Sequence, residues 1–78
     1  MFNEEEFNNF LKLMEEGVAE NKRYYDDTWR KEDIKFLEHR LISKIAEFKL
    51  TKKPSKLVSL ANLSMMLYIR MQKEYNGK

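Results

Sequence analysis

Seventy-eight residues with no cysteine and a single histidine leave room for one domain and one core, and exclude both disulfide staples and a thiolate or multi-histidine metal site. Hydrophobic residues make up 42% and charged residues 36%, and the net charge of +2 conceals a division along the chain. Residues 1–38 carry eleven acidic and six basic side chains, a net of −5, whereas residues 39–78 carry two and nine, a net of +7; such a dipole suits docking of opposite ends between chains or a basic face for phosphates, or it is an ordinary solvated surface whose signs cancel in the fold.

In chain order, residues 3–22 are predicted as the first helix. Asn3 can cap it, with Glu6 three residues on in the capping-box position. Phe7, Phe10, Leu11, Met14 and Val18 recur at helical spacing and are expected to face the core. Gly17 within that stripe costs about 1 kcal/mol relative to alanine unless a neighbouring helix needs close approach. The segment Tyr24 to Thr28 breaks the pattern, and Asp27 or Thr28 is the expected cap of a second helix at 29–49. Ile34, Leu37, Leu41, Ile45 and Phe48 form its stripe, widened by Phe36 and Ile42.

A basic joint, LTKKPS, leads to a third helix at 54–75, opened by Pro54, whose missing N–H has no intrahelical partner in a first turn. Leu57, Val58, Leu60, Ala61, Leu63, Met65, Met66, Leu67, Ile69 and Met71 cover nearly its whole circumference. A helix apolar on all sides must be surrounded, and two short neighbours cover only part of it. The expected architecture is therefore a single all-α domain over residues 1–78, a three-helix chain assembling into a homo-oligomeric bundle, dimer or tetramer, through helix 54–75. Asn62 and Ser64 are then buried polar groups that help set the register, and Asn76 to Lys78 form a frayed end. The most apolar run, Leu57 to Met71, is interrupted by Ser59, Asn62, Ser64 and Arg70 and is too short for a span of roughly 20 clean residues, so no membrane is expected. The opening MFNEEEFNN lacks the basic and apolar regions of a secretory signal, which makes the cytoplasm the expected compartment.

Arg23, Tyr25 and Trp29, followed by FLEHRLISKIAEF and then KLVSLANLSMMLYIRM, resemble the MazG-like all-helical nucleoside triphosphate pyrophosphohydrolases, in particular small archaeal and viral members. The likeness covers residues 20–73 and is strongest at LANLSMML. It implies a helical homo-oligomer and two carboxylate pairs, each three residues apart, that hold magnesium or manganese against a triphosphate. Those pairs correspond here to Lys44 with Glu47 and to Lys56 with Ser59, so three of the four carboxylates are missing. Protonated lysine cannot ligate a cation and repels one. The resemblance thus implies a noncatalytic scaffold or binding protein with no cofactor, no catalytic residue and no metal ligand. In it an ammonium near Glu47 replaces the metal as the charge that holds the helices together, unless Lys44 and Lys56 simply point to solvent. Nucleotide is the candidate small ligand, and Arg23, Tyr25, Trp29, Arg30 and Lys56 are the candidate binding residues.

Two alternatives stand beside it. A magnesium- or manganese-dependent pyrophosphohydrolase needs a replacement carboxylate set, for which Glu16, Glu20 and Glu47, with Glu15 nearby, are the available residues. A nucleic-acid-binding protein would use the rings of Tyr24, Tyr25 and Trp29 beside Arg23 and Arg30, or the lysines 49, 52, 53 and 56. Asp26 and Asp27 oppose that reading, and the helix after the lysines has no polar reading face. His39, beside the Leu37 and Leu41 stripe, is expected at the rim of the interface rather than in acid–base work.

Overall fold

The computed structural model describes residues 1–23 and 25–76. They form α1 (Glu4–Glu20), a 3₁₀ turn (Asp27–Arg30), α2 (Ile34–Thr51) and α3 (Pro54–Asn76), with no strand among the described residues. The expected cap of α1 is present in full: the Asn3 side chain accepts from the Glu6 N–H at 2.7 Å, and Glu6 Oε1 accepts from the Asn3 N–H at 3.1 Å. Three glutamates in the first turn add favourable charge at the positive end of the helix.

The start of the second helix differs from expectation. Asp26, not Asp27 or Thr28, is the capping residue at this point, and what it caps is the separate 3₁₀ turn: its carboxylate accepts from the Thr28 N–H at 2.9 Å and from the Thr28 hydroxyl. The helix proper begins five residues later than expected, after Asp33, whose side chain accepts from the Lys35 N–H at 3.0 Å. Both aspartates use the same local chemistry, and the first one merely ends the loop. At the other end α2 runs to Thr51 and stops on Lys52, whose φ of 58° and ψ of 24° put it in the left-handed region. Its N–H closes on the Phe48 carbonyl at 2.7 Å, a left-handed cap made without glycine. Lys52 and Lys53 alone connect α2 to α3, and Pro54 opens α3 as expected.

The third helix is the centre of the fold: α2 packs along it, and α1 crosses it more narrowly. Trp29, Leu37, Leu63 and Met66 make the buried core, ringed by Tyr25, Leu41, Leu67 and Ile69. The α1 crossing lies at Gly17, where a Cβ would stand 3.5 Å from Asn62 Nδ2 and 4.0 Å from Val58 Cγ1. That is ordinary contact, so close approach does not require the glycine. Asn62, 2% exposed, donates from Nδ2 to the Met14 carbonyl at 3.2 Å. It is buried within the single chain by α1 and not by a second copy, whereas Ser64 is exposed on the surface of the chain.

Much of the expected core face lies open. On α1 only Met14 of the five-residue stripe is half-buried, while Phe7 is 54% exposed and Phe10, Leu11 and Val18 are exposed as well. Phe36, Ile42 and Ile45 on α2 and Leu57, Met65, Tyr68 and Met71 on α3 are also exposed. A radius of gyration of 13.5 Å, against roughly 11.5 Å for a globule of this length, reflects the same openness. No helix among the described residues is long and apolar enough to cross a membrane.

Candidate functional site

The loop between α1 and α2 is tied to α3 by Arg70, a residue to which the sequence analysis gave no role. Its Nη1 donates to the Trp29 carbonyl at 2.8 Å and to the Glu32 carbonyl at 2.5 Å, and its Nη2 lies 3.5 Å from Glu74. Beside this clamp the Trp29 ring is packed into the core, and 6% of the residue is exposed. Arg30 covers the ring at 4.4 Å from its centroid and is held by Asp27 at 3.0 Å. Trp29, a candidate ligand residue by sequence, is thus a core residue whose ring is covered by Arg30.

An open cleft of about 210 Å³ remains beside it, with Tyr25, Trp29, Arg30 and Asn62 in its wall. Three of the five candidate binding residues meet there. The Asn62 Oδ1 is buried without a hydrogen-bond partner, which in a dry site carries a cost of about 1–3 kcal/mol. Arg23 lies outside this cleft, in an open depression just past α1 with Asn21 and Lys22. Tyr24 lies outside the described residues, as do Gly77 and Lys78 of the expected frayed end; Asn76 closes α3.

Lys56 lies in a second cleft of about 290 Å³, which shares Tyr25 with the first and is lined by Asn21, Tyr25, Lys44, Ser55, Lys56 and Ser59. Here the start of α3, the middle of α2 and the end of α1 converge. Lys44 Nζ stands 2.9 Å from Glu47 Oε2 on the same helix. The hydrogen bond from Lys44 holds the Glu47 carboxyl below the usual carboxylate range, partial desolvation opposes it, and the charges of Lys44 and Lys56 add to the lowering. Lys56 is half-buried and forms no ion pair among the described residues. Three of the four positions that the resemblance equates with metal ligands therefore line one cleft, which carries two ammonium groups. Asn21, Lys44, Ser55 and Ser59 were not among the predicted binding residues. Lys44 and Ser59 were legible through their three-residue spacing from Glu47 and Lys56, whereas the other two join only through tertiary convergence.

Among the described residues no three His, Cys, Asp or Glu side chains come together to hold a metal ion, so Glu15, Glu16, Glu20 and Glu47 do not assemble into the replacement set. His39 and the lysines 49, 52 and 53 are exposed. On the opposite count, Phe2, Phe7, Phe10, Leu11 and Met14 line an open apolar groove of about 580 Å³ along the first half of α1, with Glu6 at its edge. No protein-family model, curated protein or solved structure matches the chain.

Proposed function

We propose that this chain is a noncatalytic, MazG-like binding protein that works as a homo-oligomer. The observation that carries the reading is the Lys44–Glu47 ion pair at 2.9 Å, with Lys56 adding its charge to Glu47. Where the resemblance calls for carboxylates around a divalent ion, this chain supplies its own cations. A hydrolase of that kind needs the metal to neutralise the triphosphate and to activate water; ammonium groups perform the first task and not the second. The reading therefore keeps phosphate binding and drops hydrolysis, with nucleotide as the candidate ligand of Tyr25, Arg30 and Lys56, and with Arg23 in a neighbouring depression that shares Asn21 with the Lys56 cleft.

The oligomer is supported by the open faces of α1 and α3. Each large apolar side chain buried between copies contributes about 1.5–3 kcal/mol, and Phe7, Phe10 and Leu11 on α1 with Met65, Tyr68 and Met71 on α3 give such a contact ample material. The acidic α1 and the basic second half of the chain supply complementary charge for it.

Two measurements test the reading. Deoxynucleoside triphosphates incubated with magnesium or manganese should remain intact; turnover that disappears in Glu47→Ala would overturn the noncatalytic assignment. Sedimentation should give a stable oligomer that Phe7→Ser with Phe10→Ser dissociates, and a monomer at high micromolar concentration would remove the assembly.

A further inference from the structure

We infer that the cleft between the end of α1, the middle of α2 and the start of α3 is a metal-independent site for a diphosphate-type oxyanion. The inference deepens the phosphate binding proposed above, on which it rests, and is argued from the placement of the two lysines. Lys44 and Lys56 come from different helices, and both line a space of about 290 Å³, at the lower end of the roughly 300–1,000 Å³ of small-molecule sites. The remaining wall is polar: Asn21, Tyr25, Ser55 and Ser59 line it, with the Asn21 amide donating to the Gly17 carbonyl at 3.0 Å and the Ser59 hydroxyl to the Ser55 carbonyl at 3.5 Å.

The charge balance of the site favours an anion. Glu47 neutralises one of the two ammonium groups through its contact with Lys44, leaving a net positive charge at Lys56. Lys56 sits in the first turn of the 23-residue α3, where the helix dipole is positive. Its own N–H is engaged by the Lys53 carbonyl at 3.0 Å, and Pro54 has none, so the attraction comes from the ammonium group and the dipole more than from a nest of free amides. A divalent cation meets two ammonium groups and a single carboxylate that is already paired. The same geometry that repels magnesium accepts a phosphate.

A second observation extends the site. The cleft shares Tyr25 with the adjoining one, in which Asn62, buried within the chain, carries an amide oxygen without a partner. A ligand whose phosphates sit on Lys56 and that extends past Tyr25 enters this adjoining cleft with its other end.

The test is titration of the full-length protein with inorganic pyrophosphate in the presence of EDTA, followed by amide and lysine side-chain NMR, and beside it the same titration with a nucleoside diphosphate. Shifts should be confined to Asn21, Tyr25, Lys44 and residues 55–59, and Lys56→Gln should weaken binding about tenfold or more, the loss of one charge-assisted contact. The exposed neighbour variant Lys53→Gln should leave binding within about twofold. A tighter nucleoside complex that also shifts Asn62 assigns the site to nucleotides, and equal affinities assign it to phosphate groups alone; both support the inference. Binding that needs magnesium, shifts spread evenly over the lysines 49, 52, 53 and 56, or no shift at millimolar pyrophosphate would overturn it. These outcomes are distinguishable from those of the hydrolysis assay: intact triphosphates with no pyrophosphate binding would refute the site, and with it the phosphate binding proposed above, and leave only the absence of hydrolysis standing.

Discussion

Replacing Arg70 with methionine tests whether the loop clamp holds the core together. Methionine keeps the length and apolar stem of the side chain and removes the guanidinium, whose Nη1 donates to the carbonyls of Trp29 and Glu32 at 2.8 and 2.5 Å. A hydrogen bond from a charged donor contributes about 1.5–3 kcal/mol. The two here share one nitrogen, so their joint loss amounts to about 2–4 kcal/mol, including the cost of carbonyls left without a partner. Against a total of roughly 4–12 kcal/mol for a chain of this length, that is a large share, and it lowers Tm by about 10 °C or more. Denaturant unfolding at fixed protein concentration, followed by fluorescence of the single tryptophan, Trp29, reads both the midpoint and the environment of the ring. Glu74→Gln is the control. It removes only the exposed 3.5 Å pair and should cost no more than about 0.5 kcal/mol. An Arg70→Met protein within about 0.5 kcal/mol of wild type, with Trp29 emission unchanged, would refute the clamp.

Gly17→Ala should stabilise the protein by about 0.5–1 kcal/mol, since helix propensity favours alanine and the added Cβ finds 3.5 Å to Asn62; a fall in the denaturation midpoint would show that the crossing is tighter than that. Lys52→Gly should raise stability by about 0.5–1 kcal/mol on the same assay by relieving a left-handed φ at a non-glycine residue. Acidification should weaken the fold, because the Glu47 and Asp26 carboxyls are both held below their ordinary range, by the Lys44 hydrogen bond in one case and by the Thr28 hydroxyl and N–H in the other. Such groups contribute stability that is fully present above the unfolded carboxylate pKa of about 4 and is lost as pH falls through the lower folded value. A pH series of melting curves should therefore fall less steeply below about pH 4 in Glu47→Gln than in wild type, and parallel curves would exclude the ion pair as a contributor.

The parts of this fold that were legible in the sequence are those fixed within a few residues. The Asn3–Glu6 capping box and the Pro54 start each depend on contacts inside one turn, and the Lys44–Glu47 pair on neighbours along one helix face. The start of α2 was misread because Asp26, Asp27, Thr28 and Asp33 all offer capping chemistry, and only the packing of Trp29 decides which one opens a long helix. Arg70 was invisible for a different reason: its partners are backbone carbonyls, which leave no mark in the residue types. Periodicity correctly marked apolar faces on α1 and α2 but assigned them to a core that one chain does not close. Apolar spacing says that a face must be covered and is silent about which molecule covers it. The binding residues divide in the same way, since Tyr25, Trp29 and Arg30 are local neighbours, whereas Asn21 and Ser55 reach the cleft only once three helices have met.

The two-residue joint between α2 and α3 also orders events during folding. Bringing those helices together closes almost no loop, whereas the Asn62–Met14 bond spans 48 positions and must gather an intervening chain whose closure entropy grows with the logarithm of its length. The hairpin of α2 and α3 forms early on this account, and α1 arrives last. A newly made chain thus spends its final folding step with the Met14 carbonyl not yet met by Asn62, and the α3 of another copy offers the same amide, so this crossing is the step at which the segment closes at home or is exchanged.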